Sequence, residues 1–533
     1  MTIETQEILE LTFRAEAPHS DPFWDVTLDI EASSAAGTRL FPCYWAGGDL
    51  WKARIAFQEP GPYSLKTVCS NPADKGLHGL CFEAEAVPYS GIDPLKRHGR
   101  LKASADRRRL EFADGTPFFW LGDTWWMGLT GRLGFPGDFL TLLSDRVKKG
   151  FTLVQIVAGI YPDMDEFDPR GENEAGNPWT PGNETIDPDY FLYMDRRIDA
   201  LLAAGLVPCI VACWGYYADI LGFDRLSRYW RYLIARYGAA NVIWCLAGEA
   251  TMPWYGYHTD PEEFEQRRQS QKDFWSRMAR YVRAADPYGT LTTIHPSAAS
   301  RECVEDPASI DIEMLQSGHE SSFSYNYSLE LIDKSLKAEP RMPVVQSEVC
   351  YEGICEGNRQ EAQRQLFWSN MLSGAAGYTY GANGIWQLNA PEWPYGPSPH
   401  GASWGTDFWQ DAMNYRGSSE LGTGKRILEK YSWHRLRPDS SLATPHRQTV
   451  EADLCFGAAC EDTRVFYLPR FCPVPTFHRL TQEWEGILVN PSDGAEQPLD
   501  PIVPDEKGDW LFCCGGLHVL PVMRDWVVVL KKK

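Results

Sequence analysis

The sequence predicts a multidomain protein: a central (β/α)8 TIM barrel flanked by an N-terminal β-sandwich and a small C-terminal antiparallel β domain. Three observations predict it. Residues 1–97 alternate apolar and polar side chains with period two, and residues 98–435 repeat an apolar run, a polar loop, an amphipathic helix and a glycine. Residues 436–533 return to short strands. The chain has 533 residues, and at roughly 100–200 residues per domain that length accommodates three.

In the first region Leu9, Leu11, Phe13 and Ala15 interleave with Glu10, Thr12, Arg14 and Glu16. Trp24, Val26, Leu28 and Ile30 interleave with Asp25, Thr27, Asp29 and Glu31. Trp51, Ala53, Ile55 and Phe57 follow the same rule, as do Leu80, Phe82, Ala84 and Ala86, with turns at Gly47-Gly48-Asp49 and Pro60-Gly61-Pro62. Half-buried strands with frequent turns read as a sandwich.

In the second region Phe139, Leu142, Leu143 and Val147 share one helical face, and Gly150 ends that helix. Asp187-Pro188 starts the next, with Phe191, Met194, Ile198 and Leu201 as its inner stripe and Gly205 as its stop. Strands are expected at 118–122, 151–157, 206–214, 242–248, 291–295, 310–316, 343–348 and 374–380, and helices at 225–237, 262–284, 328–337 and 359–372. Eight such repeats fit a barrel better than an open sheet, and no Gly-rich nucleotide fingerprint follows an early strand. The sixth strand is unusual for a barrel because it carries Asp311 and Glu313. The third region offers strands at 464–468, 484–489, 510–513 and 526–530, with Lys531-Lys532-Lys533 as a solvated tail.

Composition excludes several classes. Seventy-two acidic residues against 51 basic ones give a net charge of −21, so an unaided nucleic-acid partner is not expected. With 44% hydrophobic and 23% charged residues the chain is not mainly disordered. No apolar run approaches the roughly 18 residues of a membrane span, and Met1–Glu7 has no signal-like n-region or h-region, so a cytoplasmic, membrane-free protein is expected. The 14 cysteines form no C-x-x-C pair. Several, including Cys209, Cys213, Cys245 and Cys350, fall in apolar runs as free thiols. The 11 histidines show no H-x-H or H-E-x-x-H spacing, so neither a metal nor another cofactor is expected. A homo-oligomer is left open.

Barrel chemistry collects at the C-terminal ends of the strands. Glu249 and Glu348 end the apolar fourth and seventh strands, where an ionised carboxyl is costly unless something pairs or uses it. Those strands face each other across the barrel mouth, and two carboxylates across a sugar ring are what glycoside hydrolysis requires. Either glutamate can instead pair with an arginine or cap a helix. An aromatic rim of Trp125, Trp126, Tyr161, Trp214, Tyr216, Tyr380 and Trp386 at the same end favours carbohydrate. Asp123 can hold a substrate hydroxyl or serve as a buried structural carboxylate. His295, Gln316 and His319 are further candidate contacts, and Glu352 is a rival for the second carboxylate. Arg107-Arg108-Arg109 is assigned to an exposed turn before the barrel.

The segment Thr116-Pro117-Phe118-Phe119-Trp120-Leu121-Gly122-Asp123-Thr124-Trp125-Trp126 resembles the barrel entrance of the apiosidase-like glycoside hydrolases, as does the strand from Val242-Ile243-Trp244 to Gly248-Glu249. Phe466-Tyr467-Leu468-Pro469 and Asp525-Trp526-Val527-Val528-Val529-Leu530 match the family's C-terminal module. The resemblance implies an immunoglobulin-like N-terminal sandwich and a putative collagen-binding-like C-terminal β-sandwich. It also implies a metal-independent retaining mechanism with Glu249 as acid/base and Glu348 as nucleophile, their carboxyls about 5–5.5 Å apart. The expected substrates are short oligosaccharides or plant-type glycosides. The alternative is a non-catalytic carbohydrate-binding or scaffolding protein on the same barrel. One departure stands out: the related clan usually has Asn just before the acid/base, where this chain has Gly248, so a usual partner of the sugar 2-hydroxyl is missing.

Overall fold

Period-two patterning at the N-terminus folds as two facing sheets. The computed structural model describes residues 1–533 except 163, 254–259, 321, 398–403, 446–453, 471–473 and 513–523. One sheet runs, in spatial order, Thr2–Glu4, Cys81–Val87, Gly61–Cys69, Leu28–Ser34 and Gly37–Pro42. The other runs Ile8–Arg14, Leu50–Ala56 and Tyr44–Trp45. The alternating set Leu28, Ile30, Trp51, Ala53 and Ile55 is buried between them. Full burial of such an aliphatic side chain is worth roughly 1.5–3 kcal/mol, enough to fix the register of each strand.

Eight parallel strands then build the barrel: β1 (Trp120–Trp125), β2 (Leu153–Val157), β3 (Val207–Val211), β4 (Ile243–Cys245), β5 (Thr292–Thr293), β6 (Glu313–Gln316), β7 (Val344–Glu348) and β8 (Gly377–Tyr380). Hydrogen bonding runs β5-β4-β3-β2-β1-β8-β7-β6. The seam between β5 and β6 is closed differently. The Asp311 N–H donates to the Thr292 carbonyl (2.7 Å), the Asp311 carboxylate accepts from the Thr292 N–H (3.0 Å), and Thr293 donates its hydroxyl to the Ile312 carbonyl (2.8 Å). Glu313 is buried and paired with Arg301 at 2.8 Å. Asp311 thus joins the sixth strand to β5, while Glu313 is held by Arg301 from the short helix of the connection between them.

The helices follow their strands: α1 (Gly137–Lys149), α2 (Pro188–Ala203), α3 (Tyr217–Tyr237), α4 (Pro261–Ala285), α5 (Ser322–Lys337), α6 (Gln360–Leu372) and α7 (Arg416–Lys430). In α2 the Asp187 carboxylate caps the first turn through the Asp189 N–H, and Phe191, Met194, Ile198 and Leu201 are fully buried, as the spacing predicts. In α1 one expected inward residue is different: Val147 is 40% exposed, and Arg146 is buried in its stead. Its guanidinium is held by Asp123 at 2.5 Å, which makes a charged residue tolerable in the helix–sheet layer.

The C-terminal module has a six-stranded sheet, Arg437–Pro438, Phe456–Ala459, Thr463–Leu468, Trp526–Lys532, Trp484–Val489 and Glu496–Pro498. A three-stranded sheet of Ala443–Thr444, Thr476–Phe477 and Trp510–Leu511 accompanies it. Cys513, expected to end one strand, lies outside the described residues. Lys531 and Lys532 are not a tail: they extend the last strand beside Thr463 and Glu485, with exposed side chains. The module is clasped to α6, where Arg364 donates to Asp525 at 2.9 and 2.7 Å and also pairs with Glu420. Trp368 stacks on Tyr467 beside that cluster, with ring centroids 6.1 Å apart.

Candidate active site

The two glutamates meet above the barrel, and a single side chain touches both. Gln316, at the end of β6, donates its amide to Glu249 Oε1 at 2.9 Å and lies 3.4 Å from Glu348 Oε1. Both contacts are made by the one amide nitrogen, so the two carboxylates stand on either side of it. Both residues are largely buried, Glu249 at 8% and Glu348 at 6% exposure.

Their surroundings differ. Glu348 ends β7 and is ringed by donors. Tyr351 donates its hydroxyl to Oε2 at 2.6 Å, and His319 Nε2 stands 3.2 Å from Oε1. His319 Nδ1 accepts the Tyr351 N–H at 3.2 Å, so the ring proton sits on Nε2 and points at the carboxylate. His295 Nε2 is 3.4 Å from Oε2. Burial pushes the Glu348 carboxyl up, but the His319 hydrogen bond, the electrostatic influence of the His295 and His319 rings, and the Tyr351 hydrogen bond outweigh it. Its pKa therefore falls below the ordinary carboxylate value. Burial holds His295 down, with Glu348 opposing.

Glu249 follows β4 in the left-handed region at φ 45°, an unusual conformation for a residue with a side chain. Trp214, just beyond β3, donates its indole N–H to Glu249 Oε2 at 3.1 Å. The neighbouring Gly248 has a packing reason. A Cβ there would lie 2.2 Å from the Trp214 ring, so the indole fills the space that an asparagine side chain would need. Trp126 stands edge-on to both Trp214 and His295, with ring centroids 5.4 Å away in each case.

The structure thus brings together Glu249, Glu348, Trp126, Trp214, His295 and Gln316. It adds Tyr351 and strengthens the place of His319. Asp123, Trp125 and Tyr380 turn away from the pair. Side chains alternate across a strand, so in β1 Asp123 and Trp125 face the helix layer. Asp123 accepts from Arg146 and, at 2.7 Å, from the Trp125 indole, whose ring packs on Phe139. In β8 the same alternation sends the Tyr380 hydroxyl to Glu352 at 2.6 Å. Glu352 also accepts the Gly417 N–H at 3.2 Å; burial raises its pKa, and it sits in the outer layer, apart from Glu249. Tyr161 shares a hydrogen bond with Tyr190 at 2.7 Å, Tyr216 donates to the Tyr161 and Met164 carbonyls, and Trp386 packs edge-on to Tyr395. Tyr351 escaped notice because it lies in the loop after Glu348, where no periodicity marks a tyrosine as pointing back at a strand end.

Among the described residues no group of three or more His, Cys, Asp or Glu is arranged to hold a metal ion, and no helix is long and apolar enough to cross a membrane. None of the curated proteins matches the chain. Solved structures do. A putative glycoside hydrolase from Bacteroides vulgatus is similar over 100% of both chains, at 15% identity and a TM-score of 0.70. A glycoside hydrolase family 5 protein from Bacteroides vulgatus is similar over 82% of this chain and 93% of its own, at 20% identity and 0.66. Another glycoside hydrolase covers 83% of this chain and 99% of its own, again at 20% and 0.66. At these identities the likeness speaks for the fold. The family described as "Apiosidase-like, catalytic domain" matches residues 104–435, the whole barrel and more than half of the chain, and the chain therefore belongs to the apiosidase-like family of glycosidases.

Proposed function

We propose that the chain is a retaining glycoside hydrolase that cleaves short oligosaccharides or plant-type glycosides by double displacement. Glu348 attacks the anomeric carbon as the bond to the leaving oxygen breaks, and Glu249 gives that oxygen its proton. Water then attacks the glycosyl ester, Glu249 takes the water proton, and Glu348 leaves as the carboxylate. The observation that carries this reading is the Gln316 bridge: two buried carboxylates at barrel strand ends share contact with one amide nitrogen. The donor ring around Glu348 supports its role, because a nucleophile must be ionised before the sugar arrives. Gln316 Oε1 is buried with no partner among the described residues, so it can accept a sugar hydroxyl.

The test is a screen of wild type and Glu348→Gln against aryl and plant-derived glycosides, with the first-formed anomer followed by NMR on any substrate found. Retention of configuration is expected, with kcat/KM lower by on the order of 10⁴-fold or more in the variant. An inverted first product would sink the double displacement. Equal activity in wild type and variant would remove Glu348 as nucleophile, and sugar binding without turnover would favour the non-catalytic alternative.

A further inference from the structure

The Gln316 side chain is engaged at one end only. Its amide nitrogen carries two hydrogens, and the two carboxylates take them, Glu249 Oε1 at 2.9 Å and Glu348 Oε1 at 3.4 Å. Ionised carboxylates only accept, so they meet the N–H end of the amide and hold its carbonyl end away from them. That carbonyl Oε1 is buried with no hydrogen-bond partner among the described residues, in a side chain only 7% exposed. A buried acceptor in that position is unfavourable until a donor reaches it.

The other polar groups at the pair are already directed. Tyr351 and His319 donate to Glu348, and Trp214 donates its indole N–H to Glu249. His295 stands 3.4 Å from Glu348 Oε2, the oxygen that takes the Tyr351 hydroxyl, whereas Gln316 meets Oε1. The residue ahead of Glu249 cannot read a sugar: position 248 has no side chain, and a Cβ there would lie 2.2 Å from the Trp214 ring.

A group in contact with an oxygen of each carboxylate lies on the flank of the anomeric carbon. That carbon has two neighbours in the sugar ring. The ring oxygen bears no hydrogen and grows positive in the transition state, so an acceptor beside it makes no hydrogen bond. C2 bears a hydroxyl whose hydrogen bonds strengthen as the oxocarbenium ion forms. We propose that Gln316 is the residue that reads C2, its Oε1 accepting the 2-hydroxyl hydrogen in the transition state. The substrates are then glycosides whose reacting sugar keeps that hydroxyl free, neither alkylated, acylated nor branched at O2. This rests on the retaining reading above and adds a substrate class to it.

The test compares the aryl glycoside that wild type hydrolyses fastest with its 2-deoxy and 2-O-methyl counterparts. Removing the 2-hydroxyl makes a glycoside intrinsically easier to ionise, so a slower reaction on the enzyme reads a lost contact. Wild type should lose on the order of 10²-fold or more in kcat/KM on the 2-deoxy compound and leave the 2-O-methyl compound uncleaved. In Gln316→Met, which keeps the length of the side chain without the amide, the ratio of parent to 2-deoxy kcat/KM should shrink at least about tenfold. Gln316→Leu takes its place if that variant melts early. Tyr351→Phe should slow both substrates alike and keep the wild-type ratio. A ratio unchanged in the Gln316 variant, or wild type cleaving either counterpart as well as the parent, would overturn the role of Gln316 and leave the hydrolysis standing. No turnover of any glycoside, or an inverted first product, would instead remove the retaining reading, and this inference with it.

Discussion

Glu348 owes its ionisation to neighbours that can be removed one at a time. His319 donates to one oxygen and Tyr351 to the other. Those donors lower its pKa against the opposing effect of burial, so deleting one must raise it. In its proposed nucleophilic role Glu348 works ionised, and activity rises as pH climbs through its pKa. In His319→Ala the acid limb of the kcat/KM profile should therefore move to higher pH, as should that of Tyr351→Phe, while the basic limb stays in place. An acid limb that does not move in either variant would show that the limb belongs to another group. Asp123 teaches the opposite lesson at this scale: a carboxylate at a strand end is not a ligand when the strand's alternation points it at a buried arginine.

At the scale of elements, two contacts can be tested. Beyond β3 and β4 the chain is packed so closely that Gly248 lies directly against the Trp214 ring, and Trp214 in turn holds Glu249. A Cβ at Gly248 cannot be accommodated without shifting that indole. Gly248→Ala should lower kcat/KM by on the order of 10²-fold through misplacement of Glu249 and cost about 1–3 kcal/mol of stability from overpacking. Kinetics and urea unfolding on the same preparation check both, and a fully active variant would show that Trp214 does not position the proposed acid/base. On α6, Arg364 sits between Asp525 and Glu420. Arg364→Ala leaves buried Asp525 without its cation and Glu420 with only the exposed Arg416, and should cost about 3–5 kcal/mol. A urea midpoint within error of wild type would make the clasp a bystander.

For the whole molecule, the C-terminal module packs into the barrel's own core and is expected to help keep it folded. The α6 face that carries Arg364 and Trp368 meets Asp525 and Tyr467 across the boundary, and Val465, Val527 and Val529 join the barrel's own core cluster. An interface that apolar is not a loose linker contact. A chain ending at residue 435 should fail to give a cooperative thermal transition by circular dichroism. A transition near that of the full chain would show the barrel to be independent.

The sequence by itself determined the class of each region, the succession of eight strands and the place of two glutamates at the ends of the fourth and seventh, because hydrophobic period and strand order are local properties written residue by residue. It also singled out Gln316 and His295 at strand ends. What it could not decide was which strand-end side chains look into the cleft. Asp123, Trp125 and Tyr380 carry the right chemistry at the right end, yet the alternation of β1 and β8 turns them to the helix layer. Tyr351, from a loop without periodicity, turns inward to Glu348. Asp311 and Glu313 looked foreign to a barrel until closure gave them Thr292 and Arg301. In each case the deciding partner is distant in sequence, and only tertiary packing sets which face of an element it meets.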